Sequence, residues 1–339
     1  MNILVTANLV PFVRGGAEAH LEGLVHALRQ AGHAVEVLRL PFRFTPAASI
    51  EHLMRFTEQL DMRDQSIDRV ISLQFPGYGL RHDRHIVWLM HQHRAVYELY
   101  DHATASAEQI RLRTAIHTYD HNALRRAYKR FANSRRVAER LRQFNGLEAK
   151  PLYHPPPLAQ HFYCAEAQDY IFFPSRLERL KRQDLLIEAA RYIKSPMAIL
   201  LSGEGGQRAY YQKLLDRYDL HHRVRLLGRV DERMKLALYA HSLAVFFAPL
   251  DEDLGYVTLE AMLACKPVLT CTDAGGPLEF VQDGETGWIL PPEPQAIAER
   301  IDWLYTHRAK AAAMGRAAYA HWQALHISWS GVIETLLAD

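Results

Sequence analysis

The stretch Pro249–Leu263, PLDEDLGYVTLEAML, carries four carboxylates within ten positions: Asp251, Glu252, Asp253 and Glu260. On one reading, Asp251-Glu252-Asp253 is a D-x-D clamp that holds a divalent ion against a sugar nucleotide. On the other, Glu252 and Glu260 are a pair eight residues apart across a strand-to-helix turn. The flanking residues favour the second. LAVFFAPL, just before, is an apolar run of buried-strand character, and GYVTLEAMLACK has a helical pattern from about Tyr256. Glu252 then lies in the loop and Glu260 inside the helix. The N–H groups near Gly255, Tyr256 and Val257 have no partner within a helix that starts there. An anion fits against them without a metal, because the helix dipole and the amides both favour negative charge.

Working outward, the same strand-then-helix rhythm runs through the chain. NILVTA, AVEVLRL, DRVISLQ and HIVWLM are strand candidates in the first half. EAHLEGLVHALRQAG puts Leu21, Leu24, Val25 and Leu28 at helical spacing and stops at Gly32, and further helical patterns cover roughly 104–129 and 134–144. Three consecutive prolines, Pro155 to Pro157, cannot sit inside a helix or a central strand and mark a linker. YIFFPS, MAILLSG, RVRLLGRV, LAVFFAPL and KPVLTCT then restart the rhythm. The expectation is α/β, with two doubly wound parallel-sheet domains: residues 1–155, residues 165–320, and a helical tail over 321–339 that either ends the second domain or crosses back to the first. In such sheets the loops after the strands carry the chemistry.

Length and composition agree. A chain of 339 residues, 49% hydrophobic and 23% charged, suits two globular domains of ordinary size. The net charge of +2 is unevenly spread. Residues 1–150 hold 21 Lys+Arg against 15 Asp+Glu, and the remainder 19 against 23, so the first half is the one suited to an anionic partner. Cys164, Cys265 and Cys271 lack paired spacing, which argues against a disulfide framework or a zinc ribbon and fits a reducing cytoplasm. No apolar run approaches the roughly 18 residues of a membrane span, and MNILVTANLV lacks the basic start of a signal peptide.

Three loops after strands carry candidate chemistry. NLVPFVRGGAEAH lacks the G-x-G-x-x-G of a dinucleotide fold, yet Gly15 and Gly16 open a helix and let backbone approach an anion, or simply form a flexible turn. PSRLERLKRQDLLIEAA brings Arg176 and Lys181 to one strand end, where two cations suit a diphosphate. LLSGEGGQRAYY, with Gly203, is a third strand-glycine-helix junction.

Taken together in this order, GGAE (Gly15 to Glu18), SRLERLKRQDLLIEA, GEG (Gly203 to Gly205), LLGRV, EDLGYVTLEAMLACKPVLTC and DAGGPLEFV resemble the retaining GT-B glycosyltransferases of family 4, the glycosyl transferases group 1. Glu252 and Glu260 match the family's E-x7-E signature. The resemblance spans essentially the whole chain and implies two facing Rossmann-like domains with an interdomain cleft, a nucleoside diphosphate sugar held mainly by the second, and no required metal or cofactor. It assigns Arg176 and Lys181 to the diphosphate, which the amides of Tyr256 and Val257 cap, with Gly15 and Gly16 closing from the other domain. Glu260 would take the ribose and Glu252 the donor sugar; Arg229 and Val230 would edge the base, while Gly203, Leu254 and Gly255 line the donor site. Leu254 stands where an aromatic is usual, and Lys266 where a small residue is.

WLMHQHRAVYEL ends a strand with His91 and His93. Similar enzymes have a His near this point in the sugar site, which selects His91; a structural His or a two-histidine metal site are the alternatives. RRAYKRFANSRRVAERLRQF carries Arg125, Arg126, Lys129, Arg130, Arg135, Arg136, Arg140 and Arg142 against Glu139 alone. That run suits a peripheral contact with an anionic leaflet or lipid phosphate, and equally a solvated face. No base-reading motif accompanies it, so nucleic acid is not an expected partner. The expected activity is metal-independent sugar transfer, with retention, to a hydroxyl on a glycan, a lipid-linked or a small-molecule acceptor. The chain is expected in the cytoplasm or at the inner face of the membrane. The rivals are a nucleotide-sugar epimerase on the same architecture and a non-catalytic nucleotide-sugar-binding protein.

Overall fold

The computed structural model describes residues 1–12, 15–63 and 66–339, which fall into two compact units. Unit 1 comprises Met1–Pro157 together with Ser328–Asp339, and unit 2 is Leu158–Ile327. In unit 1 the elements are β1 (Asn2–Leu9), α1 (Gly16–Gln30), β2 (Ala34–Pro41), α2 (Ala47–Gln59), β3 (Arg69–Ser72), β4 (His85–Leu89), α3 (Ala107–Arg126), β5 (Lys129–Ala132), α4 (Arg135–Asn145) and β6 (Lys150–Pro151). Unit 2 holds β7 (Tyr170–Pro174), α5 (Gln183–Ala189), β8 (Ala198–Ser202), α6 (Arg208–Tyr218), β9 (Val224–Gly228), α7 (Glu232–His241) and β10 (Ala244–Phe246). It continues with α8 (Tyr256–Leu263), β11 (Val268–Cys271), β12 (Gly287–Leu290), α9 (Pro294–Thr306) and α10 (Arg308–Ala324); α11 (Trp329–Leu337) belongs to unit 1.

Each unit has a six-stranded sheet, ordered β2-β1-β3-β4-β5-β6 and β12-β11-β10-β7-β8-β9, and every strand pair is parallel. Helices cover both faces, which is why central strands such as RVIS of β3 and HIVWL of β4 are buried at every position. α1 lays Leu21, Leu24, Val25 and Leu28 on its sheet, the stripe its spacing predicts. Strand order reverses beside β1 in unit 1 and beside β7 in unit 2. At such switch points the loops leave in opposite directions and open a crevice at the carboxyl edge. In unit 2 that edge carries the loops after β7 and β10, the segments that hold Arg176, Lys181 and Glu252.

The tail differs from the single helix expected over 321–339. α10 runs on to Ala324, His326 takes a positive φ of 49°, and Ser328 caps α11 through Gly331 N–H at 3.2 Å. α11 returns to unit 1, burying Val332, Ile333 and Leu336 in the core under β1 and β4. Its Trp329 fills the space beside Gly23 of α1 and packs 5.4 Å from the His154 ring. Asp339 then pairs with Arg69 at 2.8 Å and Arg84 at 2.7 Å.

The cysteines depart from the expectation of reduced thiols. Cys164 and Cys265, 101 positions apart in sequence, lie 5.3 Å apart at Cα and are joined in a disulfide, while Cys271 is a buried free thiol. The bond ties the segment entering β7 to the turn after α8, a proximity that sequence spacing alone does not reveal.

Candidate functional site

The loop after β7 is braced from two sides. Ser175 N–H donates to Ser202 at 2.9 Å and Leu177 N–H to Glu204 at 3.0 Å, so it lies flat on the loop after β8. Gly203, at φ 132°, allows that approach, because a Cβ there would run into the Ser175 carbonyl. On the other side Arg182 donates to both oxygens of Asp273 at 2.7 Å and to the Ala248 carbonyl at 2.8 Å. One guanidinium thereby joins the loops that follow β7, β10 and β11. Arg176 is exposed just past the strand, and its carbonyl accepts from Gln183 Nε2 at 2.8 Å.

Lys181 reaches the Glu252 carboxylate directly and stands 5.7 Å from the Phe247 ring centre. The backbone around Glu252 is fixed as well. Its N–H donates to Ala274 at 2.8 Å, and its carbonyl accepts from Gly276 at 2.9 Å, as a short parallel bridge with Gly275. Gly275 has φ 74°, and a Cβ would sit 2.6 Å from the Glu252 carbonyl, so the paired glycines of DAGGP exist to admit this loop. Glu252 therefore has a defined position in a loop. Among the described residues no group of three His, Cys, Asp or Glu is arranged to hold a metal ion.

α8 begins at Tyr256 behind Gly255, whose φ of 83° turns the chain into the helix. As the N-cap, Gly255 has no side chain with which to cap this start. Leu254, the departure from the usual aromatic, is buried. One turn in, Glu260 is 3% exposed, and its carboxylate is already held: Lys235 Nζ lies 2.6 Å from Oε1 and the Tyr239 hydroxyl 2.5 Å from Oε2. Burial, then the Glu260 charge, pushes the Tyr239 phenol well up, so it remains a donor. Sequence reasoning placed Glu260 on the helix but missed both partners. The signal was present in α7, where Lys235 and Tyr239 stand four apart and share a face. Arg229 and Val230 follow β9 beyond Gly228, exposed and half-buried respectively, ahead of an Asp231 cap on α7.

In unit 1, Gly15 and Gly16 are exposed at the start of α1, with Gly15 in extended backbone. His91 is half-buried after β4, and its Nδ1 lies 2.7 Å from the Gln92 carbonyl. His93 turns away into a cage of Phe42, Phe44 and Phe75, where burial and then His91 lower its pKa to about 4. The caged ring fits a structural histidine. The basic run divides among the end of α3, β5 and α4. Arg126 donates to the Gly79 carbonyl, Lys129 to Ala338, Arg130 to Glu148 and Leu124, and buried Arg140 pairs with Glu98 at 3.3 Å. Those four bond within the unit; Arg125, Arg126, Arg135 and Arg142 are exposed.

Comparison with known proteins agrees with this layout. The family model of glycosyl transferases group 1 matches residues 163–321. Human alpha-1,3/1,6-mannosyltransferase ALG2 is 28% identical over 162 residues, 43% of this chain and 39% of that protein. D-rhamnosyltransferase WbpZ of Pseudomonas aeruginosa is 28% identical over 179 residues, 51% of this chain and 46% of that protein. The chain thus spans less than half the length of these curated relatives. Among solved structures, Anabaena Alr3699/HepE in complex with UDP and glucose superposes with a TM-score of 0.75 at 20% identity, over 99% of this chain and 98% of that one. Sucrose-phosphate synthase of Thermosynechococcus elongatus gives 0.79 at 17% identity, over 99% and 97%. The fold is that of the GT-B glycosyltransferase structures, and residues 163–321 carry a glycosyl transferases group 1 domain.

Proposed function

We propose that this chain transfers a sugar from a nucleoside diphosphate donor to an acceptor hydroxyl, with retention at the anomeric carbon and without a metal ion. The observation that supports this most is the pairing of charges at the switch point of unit 2. Glu252 and Glu260 are each matched to a lysine, Lys181 and Lys235, beside a helix start whose N-cap residue is a glycine. The solved relative with UDP and glucose, and relatives named as mannosyl- and rhamnosyltransferases, point to the same donor class.

The chemistry follows from those charges. A diphosphate at the start of α8 meets the amides of Tyr256 and Val257, with Arg176 and Lys181 within reach of the same edge. Lys181 leaves Glu252 for the phosphate, a stronger pull for the cation, and the freed carboxylate accepts hydroxyls of the sugar. As the sugar–phosphate bond breaks, the leaving diphosphate gains charge that fixed cations and helix amides stabilise without reorganisation. The acceptor oxygen bonds to the anomeric carbon, and its proton departs with the diphosphate. The acceptor is a hydroxyl on a glycan, a lipid-linked or a small molecule. No helix among the described residues is long and apolar enough to cross a membrane. Peripheral contact with an anionic cytoplasmic leaflet would rest on the exposed Arg125, Arg126, Arg135 and Arg142, since Lys129, Arg130 and Arg140 are less exposed and bond within the protein.

The test is product analysis with a nucleotide-sugar panel, preceded by thermal shift to find the donor, since a ligand at 100 Kd stabilises by about 2.7 kcal/mol. Acceptor-dependent release of nucleoside diphosphate, with the donor's anomeric configuration kept in the product, is the expected result. A changed sugar released with no acceptor would make the chain an epimerase instead.

A further inference from the structure

We propose that Lys235 positions Glu260 to read the ribose, so that the preference for ribo- over 2′-deoxyribonucleotides depends on this lysine. The inference rests on the assignment of Glu260 to the donor nucleotide made above, and it names a residue outside that assignment.

The geometry is specific. α7 presents Lys235 and Tyr239 one turn apart on one face, and each takes a different oxygen of the same carboxylate, at 2.6 and 2.5 Å. An ionised carboxylate has two acceptor positions on each oxygen. With one on each oxygen given to α7, one remains on each, and a vicinal diol such as the 2′- and 3′-hydroxyls of ribose needs that pair. Glu260 lies in the middle of α8 and is 3% exposed, so its charge is tolerable there only because it is paired. Lys235 is itself held in direction. Its ammonium lies 6.0 Å from the Phe162 ring and 5.9 Å from the Tyr239 ring, and its side chain is 27% exposed. Without Lys235, Tyr239 is the remaining hydrogen-bond partner of the carboxylate among the described residues, and the carboxylate gains freedom to rotate away from the diol. Lys235 is thus a positioning residue: it acts on the nucleotide through Glu260.

The test titrates the full chain with UDP, GDP and ADP by calorimetry, then with the 2′-deoxy counterpart of whichever binds. Wild type, Lys235→Met, Lys235→Arg and Glu260→Gln are compared. Wild type should prefer the ribonucleotide by about tenfold or more, the scale of one hydrogen bond to a charged acceptor. In Lys235→Met that ratio should fall below about threefold, and Lys235→Arg should restore most of it. An unchanged ratio in Lys235→Met, even with weaker binding overall, overturns the proposal, because the lysine would then serve the phosphates or the fold. Tighter ribonucleotide binding in that variant overturns it as well, since the lysine would occupy the place of the ribose. Should Lys235→Met not fold, Lys235→Ala, which also removes the donor, carries the same comparison. A ratio retained in Glu260→Gln identifies a different failure, that of the Glu260 assignment itself.

Discussion

Replacing Asp120 with Asn should flatten the pH dependence of unit 1. Asp120 lies on α3, fully buried, and accepts the hydroxyls of Tyr78 and Tyr97 at 2.7 Å each. Burial raises its pKa to about 7 from an ordinary 3.8, with the two hydroxyls limiting the rise. The sign follows from which state binds the proton. Between the two values the folded chain keeps a proton that the unfolded chain has released. This stabilisation is complete below pH 4 and lost as pH rises through about 7. Between pH 6 and pH 8 the loss is about 1.4 kcal/mol, or roughly 3–5 °C in Tm for a domain of this size. Buried His20, His85 and His154 pull the other way. Burial lowers each pKa, His85 and His154 to about 3, so the unfolded state takes up protons first and stability falls below about pH 6.5. His85 and His154 each cost about 2 kcal/mol by pH 5, in both proteins alike. The assay is therefore the difference between wild-type and Asp120→Asn unfolding curves across pH 6–8, in which the histidines cancel. Parallel curves would refute the reasoning. The matter touches the proposed site because Tyr97 also accepts from Asn145 Nδ2 at 3.3 Å, and Asn145 holds Gln92, the neighbour of the proposed His91.

Other expectations concern the site. Lys181→Ala and Arg176→Ala should each lower transfer by roughly a hundredfold, since a hydrogen bond to a charged group is worth about 1.5–3 kcal/mol; near-wild-type turnover of both would remove them from the diphosphate. Transfer should persist in EDTA, and loss on chelation with rescue by Mn²⁺ would restore the Asp251-Glu252-Asp253 clamp. Co-sedimentation with anionic vesicles should rise with anionic lipid and fall with salt, given a screening length near 10 Å at about 0.1 M; indifference to both would make the 125–142 run a structural and solvated one.

The double α/β rhythm was legible because parallel strands buried on both faces read as short apolar runs; β4, β7 and β10 lie within runs recognised from sequence, and β1 begins with one and runs two residues past it. Glu252 in a loop and Glu260 in a helix were legible from the turn between them. What escaped depends on distance in space. Lys235 and Tyr239 announce a shared face of α7 but not the carboxylate it meets, and Arg182 looks like one more cation in a basic loop until Asp273 arrives from 91 positions away. The Cys164–Cys265 bond escaped for the same reason. The basic run misled in part, because charge counts cannot tell an arginine facing lipid from one that caps its neighbours' carbonyls, as Arg126 and Arg130 do.

The central claim, that unit 2 holds a nucleoside diphosphate sugar with its two glutamates doing different work, is tested most directly by calorimetric titration of UDP, GDP and ADP into wild type, Glu252→Ala and Glu260→Ala. The account predicts saturable binding of one diphosphate to wild type, near-wild-type affinity in Glu252→Ala with a lowered kcat, and a marked loss of affinity in Glu260→Ala. Equal loss in both variants, or no diphosphate bound by the wild-type chain, would contradict it.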